Sequence, residues 1–275
     1  MTGEQATVLE FSRDAKALVS AAVAVARSQE PPDHESLRAH LLEDAFLDRL
    51  DSEADYREAS RFRLRVARVV DVLAKNPAPS AQVALTALVK DPAFIAQPDR
   101  AEALLEASVR LRPPAPEVVT FWDEHFQPDD EFTSTTVRVL VENGSEPALA
   151  LLEQKLASPG HDDGDKVAWM RTDILSHRND AGLLEMCERL LNGPLPRELC
   201  APLVEAIFDY RPDEWYRPAS VYAAPPLESA SFEALEVLSR LAIFALTMIR
   251  LGDEQRLAVN TRLELVESIR ERSLP

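Results

Sequence analysis

A chain of 275 residues, 46% of them hydrophobic, can bury a sizeable core in one extended domain or two compact ones, which argues against disorder throughout. With 47 acidic against 30 basic residues the formal net charge is -17, so long-range electrostatics repel nucleic-acid phosphates and anionic membranes and favour partners with a basic surface. The two cysteines, Cys187 and Cys200, exclude a disulfide framework and read as small hydrophobes in apolar helical surroundings.

Residues Met1 to Glu10 carry Glu4 and Glu10 and no basic, apolar leader pattern, so the expected compartment is the cytoplasm. The most apolar run, Leu241 to Ile249, is about half the length of roughly 20 residues that a membrane-spanning helix needs. Of the 30 basic residues 25 are Arg and 5 are Lys, and with abundant Ala, Leu and Pro this reads as the coding bias of a GC-rich bacterial genome.

Seven glycines leave little material for tight hairpins or phosphate-cradling loops, and the prolines fall between apolar periodic segments, where they punctuate helices. The expected fold is all-α. A helical unit over 1-76 opens the chain. Its first helix places Val8, Phe11, Ala15, Leu18, Ala22 and Val25 on one stripe and ends at Pro31 and Pro32. A second helix spans Glu35 to Leu50, and a third, Arg57 to Lys75, buries Phe62, Val66, Val69, Val70 and Leu73.

From residue 77 to 210 the segments shorten and repeat. Asn143 to Pro159 aligns with Arg178 to Pro194 at an offset of 35, pairing Leu149 with Leu184, Glu153 with Glu188, Leu156 with Leu191 and Pro159 with Pro194. Val139 and Leu140 fall on Ile174 and Leu175 at the same offset, so the match covers a helix pair and its turn. Upstream, Ala81 to Val89 with Ala101 to Leu111, and Val118 to Phe126 with Phe132 to Val141, follow the same scheme; Leu183 to Leu191 with Leu199 to Tyr210 makes the last pair.

The turn Glu142-Asn143-Gly144-Ser145-Glu146-Pro147-Ala148-Leu149, followed by Leu151-Leu152, resembles those of HEAT-type (armadillo-like) repeats, over roughly Ser80 to Tyr210. The Asp-Val-Arg triplet common in such repeats has only Asp165-Lys166-Val167 as an echo. The resemblance implies an α-solenoid of antiparallel helix pairs, a curved scaffold that usually binds proteins and is usually not catalytic.

A Pro- and aromatic-rich loop, 211-229, interrupts the array, and a C-terminal helical hairpin, 230-275, follows. Its first arm, Phe232 to Leu251, is apolar on nearly every face from Leu241 onward and so must be enclosed by its own chain or a partner; its second, Glu254 to Arg272, sets Leu257, Leu263, Val266 and Ile269 on one side. The four segments read as one continuous domain.

No nucleophile elbow, Walker loop, dinucleotide-binding glycine motif or Cys-x-x-Cys pair occurs in the sequence. His34 and His40, six apart, point about 240° from each other on a helix, unlike a zinc pair. His161-Asp162, with His125 upstream and Asp173, Asp180 or Asp209 downstream, resembles the ligand order of HD-type phosphohydrolases, but it follows Pro159-Gly160 in an inter-helix loop rather than on a core helix. The reading for this run is solvated charge, with Asp165 capping the next helix. Neither catalytic residues, metal ligands nor a cofactor are expected, and Trp122 and Trp169 read as core.

Two groups remain as binding candidates. Arg57, Arg61, Arg65 and Arg68 form a basic stripe within about 80° on the third helix: an ion-pair lattice with Glu43, Asp44, Asp48 and Asp51, or a clamp for phosphate or carboxylate. Trp215, Tyr216, Arg217 and Tyr222 are residue types of interface hot spots, or a plug between the repeats and the hairpin. The favoured expectation is a non-catalytic interaction protein for a partner with a basic surface, with an immunity or antitoxin role as one version. A helical-repeat enzyme of lyase or DNA-repair type, and a homo-oligomer formed through the C-terminal hairpin, are the alternatives.

Overall fold

The computed structural model describes residues 70-71, 73-75, 79-96, 98-208 and 225-273, and among these all regular structure is helical. The expected helices before residue 70 lie outside the described residues, although Val70 and Leu73 are buried as their spacing requires. The chain divides into two compact units, Met1–Trp122 and Asp123–Pro275.

In the first unit α1 (Pro79–Val89), α2 (Pro92–Ile95), α3 (Pro98–Ser108) and α4 (Pro116–Glu124, which runs two residues into the second unit) each begin on a proline. Proline's fixed φ suits the first helical position, and its missing N–H would have had no partner there. The short α2 was not foreseen; Asp91 caps it by accepting from the Ala93 amide at 3.1 Å, and its Phe94 fills the space between α1 and α3. Trp122 is fully buried and donates through Nε1 to Ser108 Oγ at 2.7 Å, while that hydroxyl donates to the Leu105 carbonyl at 2.6 Å.

The second unit contains α5 (Thr133–Asn143), α6 (Glu146–Ala157), α7 (Asp163–Trp169) running into a π-helical turn (Met170–Ile174), α8 (Ala181–Asn192), α9 (Arg197–Phe208), α10 (Phe232–Met248) and α11 (Asp253–Ser273). Gly144 ends α5 with φ +63°, a left-handed conformation that glycine adopts without steric cost, and its N–H bonds the Leu140 carbonyl. Two rows of helices alternate in sequence, α6 against α8 and α8 against α10, and α5 against the π turn, the π turn against α9 and α9 against α11, while the consecutive pairs α5–α6 and α10–α11 pack against each other. The core is contributed by matching positions, among them Leu149 and Leu184, Leu156 and Leu191, all buried.

One expectation for the terminal helices needs correction. On α11 the buried positions are Val259, Val266 and Ile269, whereas Leu257 is 68% exposed. Nine residues at 100° each set Leu257 about 180° from Val266, while the seven-residue step from Val259 keeps the same side. The expectation that α10 is enclosed by its own chain or a partner is not overturned: Leu241, Ala242 and Ala245 are buried, while Ile243 is 53% and Met248 71% exposed among the described residues.

Candidate functional site

The turn between α6 and α7 is built around a histidine. Ser158 leaves α6 in extended conformation, Pro159 and Gly160 carry the chain round, and Asp162 caps α7 by accepting from the Gly164 amide at 2.7 Å. The cap is therefore Asp162 and not Asp165, because helical geometry starts at Asp163 and the capping side chain must lie just before it. Between these residues the His161 ring is buried with its centroid 5.2 Å from that of Phe126 and 5.2 Å from that of Trp169. Burial lowers the imidazole's pKa from 6.5; the Phe126 backbone opposes this, Lys155 and Lys166 add to it, and Asp165 opposes it.

Beside His161 lies an open cleft of about 540 Å³, whose walls include Pro159, Asp162, Asp163, Lys166 and Pro196. The Lys166 side chain is fully buried and its ammonium donates to the Ser158 carbonyl, where the last carbonyls of α6 carry negative partial charge. Its nearest carboxylate is Asp163, at 3.9 Å. Asp162 and Asp163 on the cleft wall are exposed, with Asp165 exposed on the same turn of α7, while Lys166 and His161, which also line the cleft, are buried.

A second polar centre lies on the π turn. Asp173 is held above the usual carboxylate range by burial, against the hydrogen bond from Thr172 Oγ1 at 2.8 Å and the charges of His177 and Arg138. Ser176 Oγ donates to the Asp173 carbonyl at 2.9 Å and His177 Nδ1 lies 3.1 Å from it, closing the end of the turn. One residue away, Arg171 donates to the buried Glu205 of α9 at 3.2 Å, and Gln255 of α11 donates to the other oxygen of the same carboxylate at 2.5 Å.

The candidate residues Arg57, Arg61, Arg65, Arg68, Trp215, Tyr216, Arg217 and Tyr222 all lie outside the described residues. What precedes α10 is described from Pro225, and it is held by α7's continuation: Arg178 Nη2 donates to the Pro225 carbonyl at 3.1 Å, and Asn179 Nδ2 donates to the Pro226 carbonyl at 2.8 Å and to Ser229 Oγ at 2.9 Å. The last three residues of the expected loop, Leu227–Ser229, form a 3-10 turn.

Of the residues with phosphohydrolase-like order, Asp209 lies outside the described residues and the others have separate places. His125 lies 3.4 Å from Asp130 and edge-on to Phe132, Asp162 caps α7, and Asp180 caps α8 through the Leu183 amide at 2.8 Å. Among the described residues no three His, Cys, Asp or Glu side chains stand close enough to share a metal ion, and no helix is long and apolar enough to cross a membrane. Trp122 and Trp169 are core residues, as their periodic setting implies. The π turn and the Arg171–Glu205–Gln255 link had no sequence signal, since π geometry has no residue pattern of its own and the link joins positions 34 and 50 residues apart. No family model matches the chain, and neither a curated protein nor a solved structure matches it.

Proposed function

We propose that the chain is a HEAT-like solenoid of helix pairs that acts, without catalysis of its own, as a scaffold for a protein partner with a basic surface, in the manner of an immunity or antitoxin protein in the cytoplasm. Neighbours that alternate in sequence, and the recurrence of α6 in α8 with bounds shifted by 35 residues (146 to 181, 157 to 192), support the repeat reading. The observation that carries the partner reading is the pair of exposed carboxylates on the cleft wall, Asp162 and Asp163, with exposed Asp165 beside them, on a chain of net charge -17. Such a field steers a basic protein and speeds association at low salt.

The test is an affinity pull-down at low and high salt with mass-spectrometric identification, followed by titration of the purified partner against Asp163→Asn/Asp165→Asn, which leaves the Asp162 cap intact. A stoichiometric basic protein that dissociates in salt, and binds the variant several-fold more weakly, is expected. Unchanged affinity in the variant removes the cleft from the reading, and the absence of any salt-sensitive protein ligand removes the reading itself.

One observation favours the alternative of a helical-repeat enzyme, of lyase or DNA-repair type: a carboxyl whose ionisation is suppressed, set on a π turn, a geometry that recurs at functional sites. Titrating the chain with duplex DNA and with a linear tetrapyrrole discriminates, because binding of either that is lost in Asp173→Asn supports this reading and no binding of either sets it aside.

A further inference from the structure

The α6–α7 turn holds a titratable ring in a place that suits only its neutral form. His161 packs against Phe126 and Trp169, which also meet each other edge-on at 5.4 Å, and its ring bonds the Phe126 backbone; the charged groups that act on it are two ammoniums and one carboxylate: Lys155 from α6, Lys166 and Asp165 from α7. Lys155 is fixed close by, with Nζ 5.7 Å from the centre of the Phe126 ring and 2.7 Å from Asp123 Oδ1. Lys166 is buried on the Ser158 carbonyl, with Asp163 3.9 Å away. On the side of Phe126, His125 and Asp130 face each other at 3.4 Å. A proton on His161 would place a third positive charge beside Lys155 and Lys166, away from water. The segment it pins is short and its ends are independently anchored, by Ser158 at the end of α6 and by Asp162 at the start of α7.

We propose that His161 is an acid-sensitive latch: protonation expels the imidazole from its packing against Phe126 and Trp169, and the 159–161 segment between the two anchors swings away from the cleft beside it. The inference is independent of which partner, if any, the cleft receives. A proton is taken up on opening only between the imidazole's ordinary value of 6.5 and its lowered value in the closed turn, so the opening equilibrium rises by up to about tenfold per pH unit as the pH falls through that window and levels off below it.

The experiment is hydrogen exchange of the intact chain by mass spectrometry at a series of pH values from about 5 to 7.5, corrected for intrinsic exchange. Protection of the amides of 158–166 is expected to fall with acidification in the wild-type chain, while that of α8 stays level and serves as the internal reference. In His161→Phe the same amides should show no pH dependence. Imidazole titration of the wild-type chain by NMR, with the signal assigned through its loss in His161→Gln, needs no stable Phe variant and is expected to give a midpoint below 6.5. A midpoint at or above that value, wild-type protection that does not change with pH, or a slope retained in His161→Phe would each overturn the latch.

Discussion

The guanidinium of Arg240 on α10 grips Glu188 on α8 with two bonds, Nε to Oε1 at 3.0 Å and Nη2 to Oε2 at 2.8 Å. Glu188 is the counterpart of Glu153 at the 35-residue offset, and Glu153 on α6 receives Nε and Nη2 of Arg189 from α8 at 3.0 and 2.8 Å. One position of the repeat thus carries the carboxylate that links each helix of this row to the next. The Arg240 side chain is half exposed, so screening limits the strength of the link. A double-mutant cycle of Arg240→Ala and Glu188→Ala is expected to give a coupling of about 0.3–1 kcal/mol by urea denaturation at low salt, fading in about 1 M salt, and Arg240→Lys should keep less than half of it because the fork is lost. A coupling above about 2 kcal/mol that ignores salt would contradict this account.

Ser108 serves as both acceptor and donor, taking the Trp122 indole N–H and giving its proton to Leu105. Ser108→Ala strands the indole N–H in a fully buried site and should cost about 1–3 kcal/mol, against a few tenths for Ser at an exposed helical position. Chemical denaturation reads this directly, and a loss below about 0.5 kcal/mol would mean that the indole finds another acceptor.

The thiols should separate cleanly. Burial pushes Cys187 up to about 12, whereas Cys200, half-buried on α9, is raised less. At about pH 8 only about one Cys187 in ten thousand is thiolate, and thiolate is the reactive form. A thiol-disulfide reagent is expected to modify one cysteine in the native chain, identified as Cys200 by peptide mapping, and the second only on unfolding; equal rates would show that α8 opens readily.

Asp173 makes a prediction of opposite sign to the usual acidic residue. A carboxyl held above its ordinary value of 3.8 favours the folded chain while protonated, and that contribution is complete below 3.8 and lost as the pH rises through the folded value. Asp173→Asn should therefore stabilise the chain at about pH 7, with a gain that shrinks on acidification and disappears below the unfolded value. Thermal melts of the two proteins across this range settle the matter, and a destabilised variant near neutrality would show that the ionised form is the one the turn requires.

The helices that were legible in the sequence are those whose stripe and punctuation agree. For α8, the stripe that aligns with α6 at the 35-residue offset places a helix over Leu183 to Leu191, and the observed helix extends it by two residues at the start and one at the end. The cap of α7 was misplaced because Asp162, Asp163 and Asp165 are equivalent as residue types, and only the backbone decides which one precedes the first turn. Leu257 was misassigned because an apolar residue nine positions from Val266 looks periodic by eye while falling on the opposite side. The candidate site was read only as charge. That His161 would be buried follows from two aromatic residues, Phe126 and Trp169, brought to it from 35 positions before and 8 after, which local pattern does not encode.

The grip of Arg178 and Asn179 on Pro225, Pro226 and Ser229 separates where α10 sits from how the chain reaches it. The register of the last helix in its row is written at the end of the preceding repeat, forty-seven residues earlier in the sequence than the carbonyl Arg178 holds. Fixing α10 through these side chains makes its placement depend on Arg178 and Asn179 as well as on the connection of the chain, so their loss would free the start of the helix while leaving its apolar face intact.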